Sequence, residues 1–396
     1  MTQRDAHRWG LQELANAGFK VAVWEVAPIT LPAAEHHDSE RPPGFSVVRF
    51  ASLPELESAC SRLTTAHAVI ALLGRKGASL DRCMPVMRCL ANSSALWCAA
   101  SFRAAWESAL PDVQNSAFSP GRSTLGFMVV RVINGAKSAV KRWLAGIGKG
   151  VTPGASIRPL DIAWVATSRE EFDHRLLGRD SRVVPVHALD VDRIAGIADQ
   201  ADTKPFLVYV DGLGPLHPDN ITLSTESPGA PPEVYFGELT KACDWIERMS
   251  GLPIIVAAHP RAPRDGTLER WYAPHQVTYE STASLVSAAT GVVLSYPSDS
   301  VSMAVFCRKP IVIVTSKKFP RDERVMARGL ARMLKSPLIH LERPPARWPG
   351  MAIDDHRYDS LAQRYVKSRG TRPGRYWDVV AADLRGVRRP AATGGG

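Results

Sequence analysis

Residues 253–316 read PIIVAAHPRAPRDGTLERWYAPHQVTYESTASLVSAATGVVLSYPSDSVSMAVFCRKPIVIVTS. Short apolar runs rich in Ile and Val (PIIVAA, QVTY, GVVLS, PIVIVTS) alternate with helix-patterned stretches (TASLVSAA, SVSMAVFC). Near-continuous apolar runs of this length suit strands buried on both faces, and strand–helix–strand alternation predicts a parallel sheet with helices packed on it. In such sheets ligands bind outside the carboxyl ends of the strands. Two polar groups stand there: His259-Pro260-Arg261 after PIIVAA, and Ser298-Asp299-Ser300 after GVVLS, at the start of a helix.

The same pattern extends in both directions. Upstream lies a strand over 205–211 that ends at Asp211-Gly212. A helix over 233–251 follows, with Tyr235, Leu239, Ala242 and Ile246 on one face. Downstream come the helix RDERVMARGLARMLK, the strand LIHL and the helix HRYDSLAQRYVKS. Nearer the start, HRWGLQELANAG reads as one helix closed by Gly18. Strands are expected at 21–26, 46–50, 67–74, 95–101, 161–167 and 181–192, with helices at LPELESACSRL and around 79–92 and a polar, Pro-rich loop at 28–44. The reading is α/β, with a first Rossmann-like domain over 1–192, a second over 193–345, C-terminal helices over 346–386 and a disordered tail over 387–396. Doubly wound domains normally open on a strand. This chain opens on a helix, so either an edge strand is absent by design or a first strand lies upstream of its start, and the second is expected.

Bulk composition sets outer bounds. The 396 residues suffice for two cores, and 45% apolar with 22% charged residues is ordinary for a soluble enzyme. No run matches a membrane-spanning helix or a signal-peptide core. Six cysteines form no CxxC pair, which argues for reduced core thiols, a cytoplasmic location and no zinc site. No metal is expected. The net charge of +10 implies an anionic partner. Between Asp112 and Asp161 there is no acidic residue, yet Arg122, Arg131, Lys137, Lys141, Arg142, Lys149 and Arg158 fall there. The basic, apolar stretch 121–150 reads either as a surface helix on an anionic membrane, placing the protein peripherally at an inner membrane face, or as a core helix with a solvated basic side. No nucleic-acid-binding signature is present.

Five groups are candidates for chemistry. Asp211 at a strand end can deprotonate a hydroxyl or simply cap a turn. His217, in the Gly- and Pro-rich loop that follows, can reach the same cleft or belong to a His-Pro-Asp turn. His259, held by Pro260 with Arg261 and Arg264 nearby, suits a phosphate or a sugar carboxylate. Ser298, Ser300 and Ser302 surround a helix N-terminus where hydroxyls and unbonded N–H groups favour phosphate, although ordinary capping accounts for one of them. Asp299 would repel a phosphate and is expected to turn away or to cap. His187 with Asp190 and Asp192 forms a looser polar cluster near the expected interdomain cleft, as a hinge, a cap or a secondary site.

At these residues the chain resembles a group of bacterial surface-polysaccharide (capsule or lipopolysaccharide) biosynthesis proteins with a GT-B-type glycosyltransferase fold. The matching pieces are RDAHRWGLQELANAGFKVAVWEV, VVPVHALDVD, FLVYVDGLGPLHPD, IVAAHPRA and SDSVSMAVFCRKPIVIV. The resemblance implies two Rossmann-like domains facing across a cleft, the first for the acceptor and the second for the nucleotide-sugar donor. More distantly, the Asp-Gly, His-Pro and serine motifs are similar to those of bacterial sialyltransferases and polysialyltransferases. That likeness implies Asp211 as general base, His259 as a phosphate contact that stabilises the departing nucleotide, and Ser298 and Ser300 as donor ligands. The motif usually carries two acidic residues before Gly, whereas Val210 precedes Asp211 here. The implied partners are a nucleotide-sugar donor, with a CMP-activated acidic sugar preferred, and a glycan or lipid-linked acceptor, with no other cofactor. A nucleotide-sugar epimerase and a non-catalytic glycan-binding scaffold are the alternatives.

Overall fold

The computed structural model describes residues 3–30, 44–72, 78–101, 157–167, 176–197, 204–217, 230–296 and 298–387. The basic segment 121–150 lies outside them, as does the tail beyond Val387.

The first region begins with α1 (Gln3–Arg8) and α2 (Leu11–Asn16), not one helix. Gly10 separates them with φ 62°, a left-handed conformation that glycine adopts without a Cβ penalty. There is also no room for a Cβ, which would lie 2.1 Å from the Trp377 ring. Next come β1 (Ala22–Glu25), α3 (Ala27–Thr30), β2 (Ser46–Arg49), α4 (Leu53–Ser61), β3 (Ala68–Leu72), α5 (Ala78–Ala91) and β4 (Leu96–Ser101). Then follow β5 (Ile162–Val165), β6 (Arg182–Pro185) and α6 (Leu189–Ala195). The strand expected over 181–192 therefore stops early, and its second half, LDVD, opens α6. All pairings are parallel, but they fall into two pieces, β1-β2 and β3-β4-β5-β6. Among the described residues no strand joins β1 to β3.

The second region forms one continuous sheet. It contains β7 (Leu207–Val210), α7 (Pro232–Ser250), β8 (Ile254–Ala257), α8 (Thr267–Tyr272), β9 (Gln276–Thr278), α9 (Thr282–Ala288) and β10 (Gly291–Leu294). It continues through α10 (Ser300–Phe306), β11 (Ile311–Thr315), α11 (Arg321–Leu334) and β12 (Leu338–His340). The strand order is β12-β11-β10-β7-β8-β9, parallel throughout. Successive residues of a strand face opposite sides, so Leu207 and Tyr209 enter one core while Val208 and Val210 enter the other. Helices α7 and α8 cover the first of these faces; α9, α10 and α11 cover the second. The apolar stripe expected on α7 is buried at Tyr235, Leu239, Ala242 and Ile246. Gly251 closes that helix in the left-handed conformation.

The chain then returns to the first region. Helix α12 (Asp355–Leu361) packs beside α11, with Asp354 capping it by accepting from the Arg357 N–H at 3.0 Å. A π turn, Ala362–Val366, ends this helix earlier than the sequence pattern suggests. The Ala188 N–H donates to the Val366 carbonyl at 2.6 Å. Helix α13 (Tyr376–Gly386) lies against α2 and the four-stranded piece, sharing a core with Leu14, Trp164, Val184 and Val186. Buried Asp383 accepts from the Trp164 indole at 3.0 Å and pairs with Arg182 and Arg372. No disulfide joins any of the six cysteines.

Candidate functional site

In the six-stranded sheet the chain runs outward in both directions from the β7–β10 pair. After β7 it continues to β8 and β9; after β10 it continues to β11 and β12. The connecting helices lie on opposite faces, which makes the carboxyl edge between β7 and β10, here called the crevice, the topological switch point of the sheet. Open parallel sheets bind ligands at such a switch point. Asp211-Gly212 follows β7 directly, and Ser295, Tyr296 and Ser298 follow β10. The two loops are close: a Cβ on Gly212 would lie 3.5 Å from Tyr296 Cβ.

Asp211 is 2% exposed. Its Oδ1 accepts from the Tyr272 hydroxyl at 2.8 Å and from the Leu213 N–H at 3.1 Å. Its Oδ2 is buried with no hydrogen-bond partner among the described residues. Burial raises the carboxyl to about 6, and the hydrogen bonds it accepts limit the rise. The tight turn around it uses Leu213 at φ 59° and Gly214 at φ 43°, with the Tyr235 ring where a Cβ on Gly214 would sit.

His259 follows β8 on the neighbouring strand, and its ring meets the His217 ring edge-on with centroids 4.9 Å apart. Both sequence-derived histidines therefore converge on one loop cluster. A turn closed by the Ala262 N–H donating to the His259 carbonyl at 2.8 Å places Pro260 at its second position, where a fixed φ is favourable. The Arg261 N–H donates to His259 Nδ1 at 3.1 Å, which selects the neutral tautomer with its proton on Nε2. Arg261 and Arg264 are exposed, and the Arg264 guanidinium lies 5.2 Å from the Tyr279 ring centroid.

The serine turn divides into two parts. Ser298 and Ser300 hydroxyls bond each other at 2.7 Å beside the crevice. Ser302 faces inward, is 1% exposed, and donates to the Asp299 carbonyl at 2.5 Å and to Asp190 Oδ2 at 3.3 Å. Its position one helical turn along α10 takes it away from the edge where Ser298 and Ser300 stand. Asp299 makes no side-chain cap; it turns toward the first region and pairs with Arg8 at 3.2 Å. Asp190 is also engaged by Arg193 at 3.3 Å. Burial, then repulsion from Asp299, raises Asp190 to about 6, against the pull of Arg193 and Arg8.

His187 stands apart from this edge. It is 4% exposed, with Nδ1 3.0 Å from the Ala188 carbonyl and Nε2 3.0 Å from the Gly374 carbonyl and 3.2 Å from Asp192 Oδ1. Asp192 in turn accepts from the Tyr376 N–H at 2.8 Å at the start of α13. The cluster His187, Asp190, Asp192 thus splits, with His187 and Asp192 holding the returning chain and Asp190 holding α10.

Three participants were not singled out from sequence. Tyr272 reaches Asp211 from α8. Tyr209 bonds Ser295 at 2.7 Å beneath the crevice. Glu323 on α11 accepts from the Tyr235 hydroxyl at 3.2 Å and is pushed up to about 8, first by burial and then by Asp322.

No protein-family model matches the sequence, and no curated protein matches it. Among solved structures, the chain is similar to CalG4, the calicheamicin glycosyltransferase, at 13% identity and TM-score 0.48, over 96% of this chain and 94% of that one. It is similar to the glycotransferase of kitacinnamycin at 12% identity and TM-score 0.41, over 95% and 93%. A UDP-GlcNAc 2-epimerase from Methanocaldococcus jannaschii matches at 11% identity and TM-score 0.30, over 53% of this chain and 57% of that one. The architecture described above rests on the chain's own strand order and pairing.

Proposed function

We propose that the protein is a GT-B-like glycosyltransferase of bacterial surface-polysaccharide synthesis, moving a sugar from a nucleotide donor to a glycan or lipid-linked acceptor. The observation that carries this reading is the crevice between β7 and β10, flanked by Asp211, by the His217–His259 pair and by the Ser298–Ser300 hydroxyls. The nucleotide phosphates would sit between His259 and the serine turn, with Arg261 and Arg264 at the rim. Those two guanidinium groups favour an acidic sugar, and CMP is the nucleotide we assign to it.

In the proposed reaction Asp211 Oδ2 takes the proton of an acceptor hydroxyl. The acceptor oxygen then bonds to the anomeric carbon as the bond from that carbon to the phosphate oxygen breaks. The electron pair leaves on the phosphate, where His259 Nε2–H and the two serine hydroxyls donate to it. A carboxyl at about 6 is mostly ionised at neutral pH, yet basic enough to accept the proton. The first region would bind the acceptor, with the basic segment 121–150 toward an anionic membrane surface. Among the described residues no helix is long and apolar enough to cross a membrane.

The test is incubation with CMP-, UDP- and GDP-sugars, with and without a glycan acceptor. A transferase is expected to consume donor in an acceptor-dependent way. Isomerised sugar without acceptor would identify an epimerase, and absence of nucleotide binding would point to a scaffold. Asp211→Asn is expected to keep donor affinity and lose roughly 10²–10⁴-fold in turnover; unchanged turnover would remove Asp211 as the base.

A further inference from the structure

We propose that Tyr272 is a positioning residue whose hydroxyl fixes Asp211 by Oδ1, so that Oδ2 is the atom offered to a ligand hydroxyl. This deepens the reading of Asp211 as the proton acceptor and rests on it. The well-formed hydrogen bonds to the carboxyl, from Tyr272 at 2.8 Å and Leu213 at 3.1 Å, fall on Oδ1, while the backbone N–H groups of Gly212 and His259 lie near enough to favour its charged form. Oδ2 is equally buried and has no hydrogen-bond partner among the described residues. A buried carboxylate oxygen without a donor is costly, and a catalytic role is one of the recognised reasons for keeping one.

The tyrosine is itself held. Its ring is fully buried between Tyr209, at a centroid distance of 5.8 Å, and Phe236, edge-on at 5.7 Å. Tyr209 is locked in turn by its bond to Ser295. Tyr272 ends α8, and the next turn is fastened to α7. The His275 N–H donates to the Tyr272 carbonyl at 2.8 Å, and its ring reaches Asp244 at 2.9 Å and Glu247 at 3.4 Å. Thr240 on α7 also donates to the Trp271 carbonyl at 2.8 Å. The hydroxyl is therefore aimed by backbone and core contacts.

The groups that face Asp211 are Tyr209 on its own strand, Tyr235 and Cys243 on α7, Tyr272 on α8 and His259 after β8. His217 lies against His259, and Glu323 of α11 lies beyond Tyr235. Tyr272 donates to the charged carboxylate, so removing its hydroxyl should make Asp211 harder to ionise.

The experiment follows the Asp211 carboxyl carbon by NMR through a pH titration, its signal assigned by its loss in Asp211→Asn. In Tyr272→Phe the midpoint is expected to rise by about one pH unit, the scale of a hydrogen bond to a charged group. The acid limb of the turnover profile should move with it, about tenfold in rate below the midpoint, while donor affinity stays constant. An unmoved midpoint, or a rate loss independent of pH, overturns the proposal. Should Tyr272→Phe not fold, a fluorinated tyrosine placed at 272 is a stronger donor and must lower the midpoint; no change would equally overturn it. The titration needs no ligand. If the wild type neither binds nucleotide nor transfers sugar, the reading of the site fails, while the midpoint still decides whether Tyr272 governs Asp211.

Discussion

The two halves of this molecule use the same parallel grammar with different results. In the second, β7 sits at the centre of six strands, and every candidate residue at the crevice hangs from it or from its neighbours β8 and β10. Among the described residues of the first, the strands form a pair and a set of four, and the exposed Val48 of β2 contrasts with the fully buried Val208 of β7. What binds the first half together comes largely from elsewhere in the chain: α13 packs against α2 and β5, and Trp377 fills the space over Gly10. A central strand buried on both faces can hold polar groups at its end in fixed positions. A divided sheet depends on its outer helices for that rigidity.

The contrast can be broken most directly by one substitution made twice. Val208→Asp places an unpaired carboxylate inside the continuous sheet and is expected to cost more than about 4 kcal/mol. Val48→Asp in the two-stranded piece is expected to cost under about 1 kcal/mol, as urea denaturation would show. Similar losses would mean that β2 is as integral as β7. Gly10→Ala comes next. It forces a left-handed backbone on a residue with a Cβ and displaces Trp377, for an expected loss of about 3 kcal/mol. A neutral result would show that α13 is not needed to hold the first half.

The pH dependence sharpens the second half. Unfolded, Asp211 titrates at about 3.9; folded, burial raises it to about 6. The fold therefore holds this proton more tightly, so the contribution is full below the unfolded value and is lost as pH rises through about 6. Between pH 4 and pH 8 the wild type is expected to lose about 2 kcal/mol relative to Asp211→Asn. A constant difference between the two proteins would contradict the burial argument. A small effect is also expected at Asp383→Asn. Its partners Arg182 and Arg372 are about half exposed, so solvent screening leaves a loss of about 1 kcal/mol, read as a lower Tm.

The strands of the second half were legible because Ile- and Val-rich runs between turn residues admit few other structures. His259 was legible as a polar group at the end of β8 and His217 as one in the loop after β7, and their rings meet. What sequence did not show depends on distant partners. Gly10 breaks a helix because Trp377 lies over it, and Ser302 turns inward because Asp190 waits there. Tyr272 sits in a six-residue helix too short to show a periodic stripe, so nothing local marked it. His187 was legible only as a hinge, a cap or a secondary site, because its partner Gly374 comes from the returning chain.

The proposed function requires nucleotide to bind at the β7–β10 crevice of the continuous sheet. Hydrogen exchange with and without CMP and UDP tests it most directly. The expected result is slowed exchange at 211–217, 259–264 and 298–302, with β1 and β3 unchanged. Protection confined to the edges of the divided first sheet, or no protection with either nucleotide, would contradict it.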